Sequence, residues 1–226
     1  AGLLVRRAYR SPVNAPVVHH LIEAGAIPLG VTNTSELTLW IESVNRVYGR
    51  TSTPYDVQRT AGGSSGGEGA AVGSGGSPFG VGSDIAGSIR IPAFFCGVFG
   101  HKPSPGVVSN EGMYPDSPGE ADRMLQVGPL ARRGGDLMPV LRIMSGGGVK
   151  LGDPAHVSLD GLPVTTVEDA SLLPMSRELR DARERAVGAL VAAGAVIRRV
   201  SLRSWRRAAL PYLTTLQAGA AQTTAG

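Results

Sequence analysis

Two glycine-flanked serine turns, GGSSGG at residues 62–67 and DIAGSIR at residues 84–90, hold the side chains best placed to do chemistry. Glycine on either side lets backbone N–H groups approach a ligand and permits conformations that a β-carbon forbids. Ser64 and Ser88, each on such a turn, suggest acyl transfer at a site without histidine. Two stretches, Gly62-x-Ser64-x-Gly66 and Gly63-x-Ser65-x-Gly67, match the G-x-S-x-G pattern of a nucleophile elbow. That device needs an apolar strand before the serine and a histidine to accept its proton. Tyr55–Ala61 is not an apolar strand, and His19 and His20 fall mid-helix beside apolar positions. The elbow is a poor description of this chain.

Other ligand chemistries fare no better. No G-x-x-x-x-G-K-[ST] occurs, and no G-x-G-x-x-G follows a predicted strand, so a nucleotide cofactor is not expected. Asn33-Thr34-Ser35 forms a glycosylation sequon but reads better as a set of helix caps. Cys96, inside the Phe94–Gly97 run, reads as a small core residue. Asp84 and Arg90 flank the second serine turn, as an ion pair or as ordering groups, and either role bears on Ser88. Taken alone, Ser88 could equally be a plain N-cap.

The elements that must position these residues alternate between helix and strand. Helices are expected over Ala15–Ala24, from Asn33–Ser35 to about Ile41, and from Ser65 through Gly75. Further helices are expected over Ile89–Phe95, Asp136–Met144 and Ser176–Ala193. Apolar runs predict strands over Ile27–Thr32, Phe79–Asp84, Val98–His101, Leu125–Ala131, Leu162–Val167 and Ala195–Val200. Ser43–Ala61 and Pro103–Asp122 read as loops. In the longest helix, Leu179, Ala182, Ala186, Leu190 and Ala193 should form the buried face. The fold class is α/β, as one partial domain over residues 1–226 with its motif core at 25–145.

Composition narrows the class. Hydrophobic residues make up 42% and charged residues 18%, a balance suited to a packed core rather than disorder. The net charge of +4 is dispersed and lacks aromatic interleaving, so no nucleic-acid partner is expected. A single cysteine gives no disulfide framework or cysteine-rich metal site and fits an intracellular, reducing compartment. No apolar run reaches the roughly 18 residues of a membrane span. The chain opens on Ala1 rather than Met and reads as the interior of a longer protein. Any membrane attachment would come from segments outside it.

The order GGSSGG, G-S-D-x-x-G-S-I-R-x-P, GHKPSPG (residues 100–106) and GPLAR (residues 128–132) resembles the amidase signature family. Runs such as GAIPLGVTN (25–33) and IPAFFCGVFGHKPSPGVV (91–108) are most similar to the branch of that family that cleaves fatty-acid amides. The resemblance covers most of residues 15–145. It implies a mixed, twisted sheet flanked by helices on both faces, and a Ser–Ser–Lys triad acting on a small amide, best guessed as a lipid amide. Ser88 matches the nucleophile. Ser64 matches the relay serine, reached through a cis Gly63–Ser64 bond. Backbone N–H groups of Ile85, Ala86, Gly87 and Ser88 match the oxyanion hole, Ser65 and Arg90 match supporting residues, and Thr38 falls at a substrate-pocket position. No metal or other cofactor is implied.

There are two departures. Ala86 stands where the family pattern typically has glycine, which is strained if that residue needs a positive φ. The family's general-base lysine lies upstream of the relay serine by more than this chain's start allows. Lys102 and Lys150 both follow the serines. The implied parent activities are amide hydrolysis, glutamine-dependent amidotransfer, or a catalytically silent interaction module, and the 226 residues alone should turn over little amide.

Overall fold

The computed structural model describes residues 1–117, 119–168, 175–201, 207, 211–212 and 214–215. Contacts divide the chain into two units, one built on Ala1–Lys150 and one on Leu151–Ala218. Both mix helix and strand, giving a mixed α/β protein.

The sheet that carries the first unit has three strands: β5 (Phe79–Asp84), β6 (Phe99–Gly100) and β7 (Gln126–Ala131). Their spatial order is β5-β7-β6, with both outer strands antiparallel to β7. All six residues of β7 are buried, so both faces of this central strand are covered. Asp84 pairs with Gln126, so β5 ends beside the start of β7, and the second serine turn leaves the sheet there. Around the sheet lie α2 (Gly66–Gly73), α3 (Arg90–Phe95) and α5 (Gly134–Met144). Ile89, Ala93 and Leu130 form the core beneath α3, with Val98 packed against them. Pro92 sits in the first turn of α3, where its missing N–H costs nothing.

At the amino-terminal side, α1 (Pro16–Glu23) buries Val17 and Leu21 and packs on α5. The run Ile27–Thr32 is not the buried strand its composition predicts. It pairs with no strand among the described residues, and Ile27, Leu29 and Val31 are 82%, 73% and 102% exposed. A strand needs a partner for its backbone polar groups as well as an apolar face, and here only the face exists. The helix expected to follow is also absent. A single 3-10 turn, Glu36–Thr38, is stopped by Leu37 and Thr38 at φ 53° and 61°.

The stretch expected as loop at 43–61 folds into two small antiparallel pairs. They are β1 (Val44–Asn45) with β2 (Gly49–Arg50), and β3 (Ser52–Thr53) with β4 (Asp56–Thr60). Asn45 closes the first by accepting from Val47 N–H at 2.9 Å and Tyr48 N–H at 2.8 Å. The other expected loop, Pro103–Asp122, runs at its end into a short helix, α4 (Glu120–Met124).

The second unit is a parallel pair, β8 (Pro163–Val167) and β9 (Val196–Val200), with α6 (Arg177–Ala192) between them in sequence. Ser176 caps α6 by accepting from Leu179 N–H, as a serine before an apolar-periodic run should. The buried face differs from the expected one. Val187 is buried, whereas Ala182 and Ala186 are exposed and Leu179 is 40% exposed. Arg183, four residues before Val187, explains the rotation: its guanidinium donates to the Val167 carbonyl at 3.0 Å, laying its stem on the inner face.

Candidate active site

The two serine turns meet. Ser65 N–H donates to the Ser88 carbonyl at 3.1 Å, tying the turn before α2 to the turn after β5. The Ser65 hydroxyl then spans to β5, accepting from Ser83 N–H at 3.3 Å and donating to Ser83 O at 3.4 Å. Ser64 is buried, 1% exposed, and its bond to Gly63 is cis. A β-carbon on Gly63 would come within 2.7 Å of the Glu42 backbone, so only glycine fits there. Ser88 is half-buried, and its neighbour Ile89 is fully buried in the core, which fixes the depth of the turn.

Asp84 organises the loop between β5 and α3. Its carboxylate is fully buried and accepts from Gly87 N–H at 2.8 Å, Ile89 N–H at 3.1 Å and Arg90 N–H at 3.3 Å. Arg90 closes a two-pronged bridge on it, Nε to Oδ2 at 3.0 Å and Nη2 to Oδ1 at 2.9 Å. Burial pushes this carboxyl up. The hydrogen bond from Arg90, those from the Ile89 and Gly87 amides and the Arg90 charge together outweigh it and hold the group at about 2. The residues on both sides of Ser88 are therefore held by one carboxylate that is ionised at neutral pH.

This arrangement bears on the four N–H groups expected to form an oxyanion hole. The Gly87 amide is already committed to Asp84, so Ile85, Ala86 and Ser88 remain as candidate donors. Gly87 itself takes φ 128°, whereas Ala86 is absent from the residues at positive φ. Alanine at 86 is thus unstrained.

Lys102, for which sequence reasoning found no role, lies beneath the loop. Its ammonium donates to Ile85 O at 2.9 Å and Met124 O at 2.7 Å, and stands 3.4 Å from Asp84. Burial lowers its pKa, an effect the charge and hydrogen bond of Asp84 oppose. Bound to two carbonyls and a carboxylate, it braces the loop from which Ile85 would donate. Glu68 on α2 is also mostly enclosed. Burial raises its pKa against the opposing hydrogen bond from Thr32, which donates at 2.9 Å. Cys96 is buried, as expected, and burial raises its thiol pKa. Thr38, the expected substrate-pocket residue, is half-buried and left-handed; with Leu37 it is one of two non-glycine residues at positive φ among those described. Such positions cost about 1–3 kcal/mol each and recur at ligand-binding sites.

Three further residues were missed because their partners are far away in sequence. Thr34 and Ser43 both donate to the Ser64 carbonyl, and Asn33 donates to Gly49 O at 3.1 Å and Thr51 Oγ1 at 3.0 Å. Asn33 and Thr34 are spent on tertiary contacts instead of capping a helix. Among the described residues, no group of three His, Cys, Asp or Glu side chains could hold a metal, and no helix is long and apolar enough to cross a membrane.

A mixed α/β scaffold thus brings two serine turns together. The chain belongs to the amidase signature family: the Amidase family profile matches residues 1–226. It is 58% identical over 145 residues to fatty-acid amide hydrolase 2-A of Danio rerio, covering 64% of this chain and 27% of that protein. It is 54% identical over 150 residues to fatty-acid amide hydrolase 2 of Homo sapiens, covering 66% and 28% respectively. The chain thus spans little more than a quarter of the length of these relatives. Among solved structures it is similar to one component of the glutamyl-tRNA(Gln) amidotransferase of Thermotoga maritima, with TM-score 0.85 and 28% identity, covering 99% of this chain and 51% of that one.

Proposed function

We propose that the protein containing this chain hydrolyses carboxamides through an acyl-enzyme on Ser88, with fatty-acid amides as its substrate class. The observation that carries this reading is the bond from Ser65 N–H to the Ser88 carbonyl, which sets the buried Ser64 turn against the Ser88 turn. The high identity to two fatty-acid amide hydrolases supports the lipid substrate.

In this mechanism a neutral base takes a proton from Ser64 Oγ as Ser64 takes one from Ser88 Oγ. Ser88 then attacks the amide carbonyl carbon. The resulting oxyanion is met by the amides of Ile85, Ala86 and Ser88, preorganised donors of a kind worth several kcal/mol. When the tetrahedral intermediate collapses, Ser64 gives its proton to the departing nitrogen, the base returns to Ser64 the proton it took, and the C–N bond breaks. Water, deprotonated along the same route, frees the acid and regenerates Ser88. Lys102 is engaged with Ile85, Met124 and Asp84 and is not assigned the role of that base.

The similarity to an amidotransferase component favours a second reading, glutamine hydrolysis with ammonia passed to a partner. Assaying the full-length protein with a long-chain primary amide and with glutamine separates the two. Release of ammonia from the lipid amide, lost in Ser88→Ala, is the expected result. Turnover of glutamine alone favours the amidotransferase, and turnover of neither favours a silent interaction module.

A further inference from the structure

Ser43 lies outside both serine turns, yet it runs alongside the first and touches every second residue of it. Its N–H donates to Gly62 O at 2.9 Å, its hydroxyl donates to Ser64 O at 2.7 Å, and the same hydroxyl accepts from Gly66 N–H at 2.7 Å. Ser43 is fully buried, so bulk water cannot take over these bonds. A β-carbon on Gly66 would come within 2.5 Å of the Ser43 oxygen, which leaves the contact possible only with glycine there. Thr34 Oγ1 donates to the same Ser64 carbonyl at 2.8 Å, so both lone-pair directions of that oxygen are engaged. Ser43 is fixed in turn: its own carbonyl accepts from Thr51 N–H at 2.9 Å and from Asn33 Nδ2 at 3.4 Å. Asn33 is held by Asn45, whose Nδ2 donates to Asn33 Oδ1 at 2.6 Å and to Thr34 O at 2.8 Å.

We infer that Ser43, with Thr34 beside it, is a positioning residue that sets the orientation of the Ser64 relay. The inference rests on the proposed role of Ser64. A peptide group whose carbonyl is held by two short hydrogen bonds cannot rotate, and the Cα–Cβ bond of Ser64 is carried by that group. The side chain that must reach both Ser88 and the leaving nitrogen is thereby aimed before substrate arrives. Misplacement by about 1 Å costs on the order of 100-fold in such sites. An amide's nitrogen must be protonated to leave, whereas an ester's alkoxide leaves with far less help. Loosening the relay therefore harms amide cleavage selectively.

The test uses the full-length protein and compares Ser43→Ala, Thr34→Val and Ser64→Ala on an amide and an ester of the same acyl group. Rates are expressed per active site, titrated to completion with a fluorophosphonate. Thr34→Val preserves shape and serves if Ser43→Ala folds poorly. Expected is an amide-to-ester kcat ratio reduced by about tenfold or more in all three variants, up to the roughly 10²–10⁴-fold that proton-transfer catalysis contributes, with KM little changed. A ratio reduced in Ser64→Ala but unchanged per site in both Ser43→Ala and Thr34→Val overturns the positioning role alone, even if those variants melt earlier. A ratio unchanged in Ser64→Ala overturns the relay itself and the inference with it.

Discussion

Asp84 in the first unit and Glu184 in the second are both held at about 2, and both by arginine. The resemblance ends there. Glu184 sits on the surface of α6, bound by Arg199 Nη2 at 2.7 Å and Arg183 Nη2 at 3.1 Å, with its side chain 43% exposed. Hydrogen bonding from Arg199 lowers its pKa, and water and salt screen what that contact contributes. Asp84 is sealed from solvent and also binds three backbone amides around Ser88. A similar final value in two carboxylates thus reports a loop-organising centre in one place and a surface ion pair in the other. Burial and the identity of the donors, rather than the shift, tell them apart.

The comparison is broken most directly at Asp84. Asp84→Asn removes the charge that Arg90 and Lys102 share and makes one of its oxygens a donor group facing N–H donors. Because Arg90 remains 56% exposed, the expected loss is about 2–3 kcal/mol, below the roughly 3–5 kcal/mol of a fully buried broken pair. Urea unfolding of the first unit measures it. Activity of the full-length variant should fall as well, because the Gly87 and Ile89 amides lose their anchor.

The same carboxylate predicts a pH limb. Its folded value lies below its ordinary 3.8, so the unfolded chain binds the proton more readily. The stabilisation is complete above about pH 4 and is lost as pH falls toward 2, amounting to about 2 kcal/mol. Asp84→Asn should lack that limb, and unfolding free energies at pH 6, 4 and 2.5 report it.

Lys102→Met leaves the carbonyls of Ile85 and Met124 without their donor while keeping the aliphatic stem. A destabilisation of about 1–3 kcal/mol is expected, with weaker turnover because Ile85 is a candidate oxyanion donor. A variant as stable and as active as the parent would remove Lys102 from the site. The smallest effect belongs to Glu184→Gln, whose melting temperature should match the parent's at physiological salt. A clear drop there would erase the distinction drawn between the two carboxylates.

Much of this was legible in the sequence, and what was not has a physical pattern. β5, β7, α2, α3 and α6 lie close to where the apolar spacing and caps put them, because each is dictated locally. Ile27–Thr32 has the composition of a buried strand, but pairing is a property of two segments, and its partner is absent from the described residues. The buried face of α6 lies one residue on from the expected one, where Val187 is buried and Arg183 reaches the Val167 carbonyl. Ser64 and Ser88 stood out through their glycines. Ser43, Thr34 and Lys102 did not, since hydroxyls and ammonium groups that satisfy distant carbonyls leave no spacing signal.

The central claim, that Ser88 is the nucleophile of an amide hydrolase served by Ser64, is tested most directly by mapping a fluorophosphonate adduct on the full-length protein by mass spectrometry. The account predicts the adduct on Ser88, formed at least about 100-fold more slowly in Ser64→Ala, where the proton route is cut. An adduct on another serine, or equal labelling rates with and without the Ser64 hydroxyl, would contradict it.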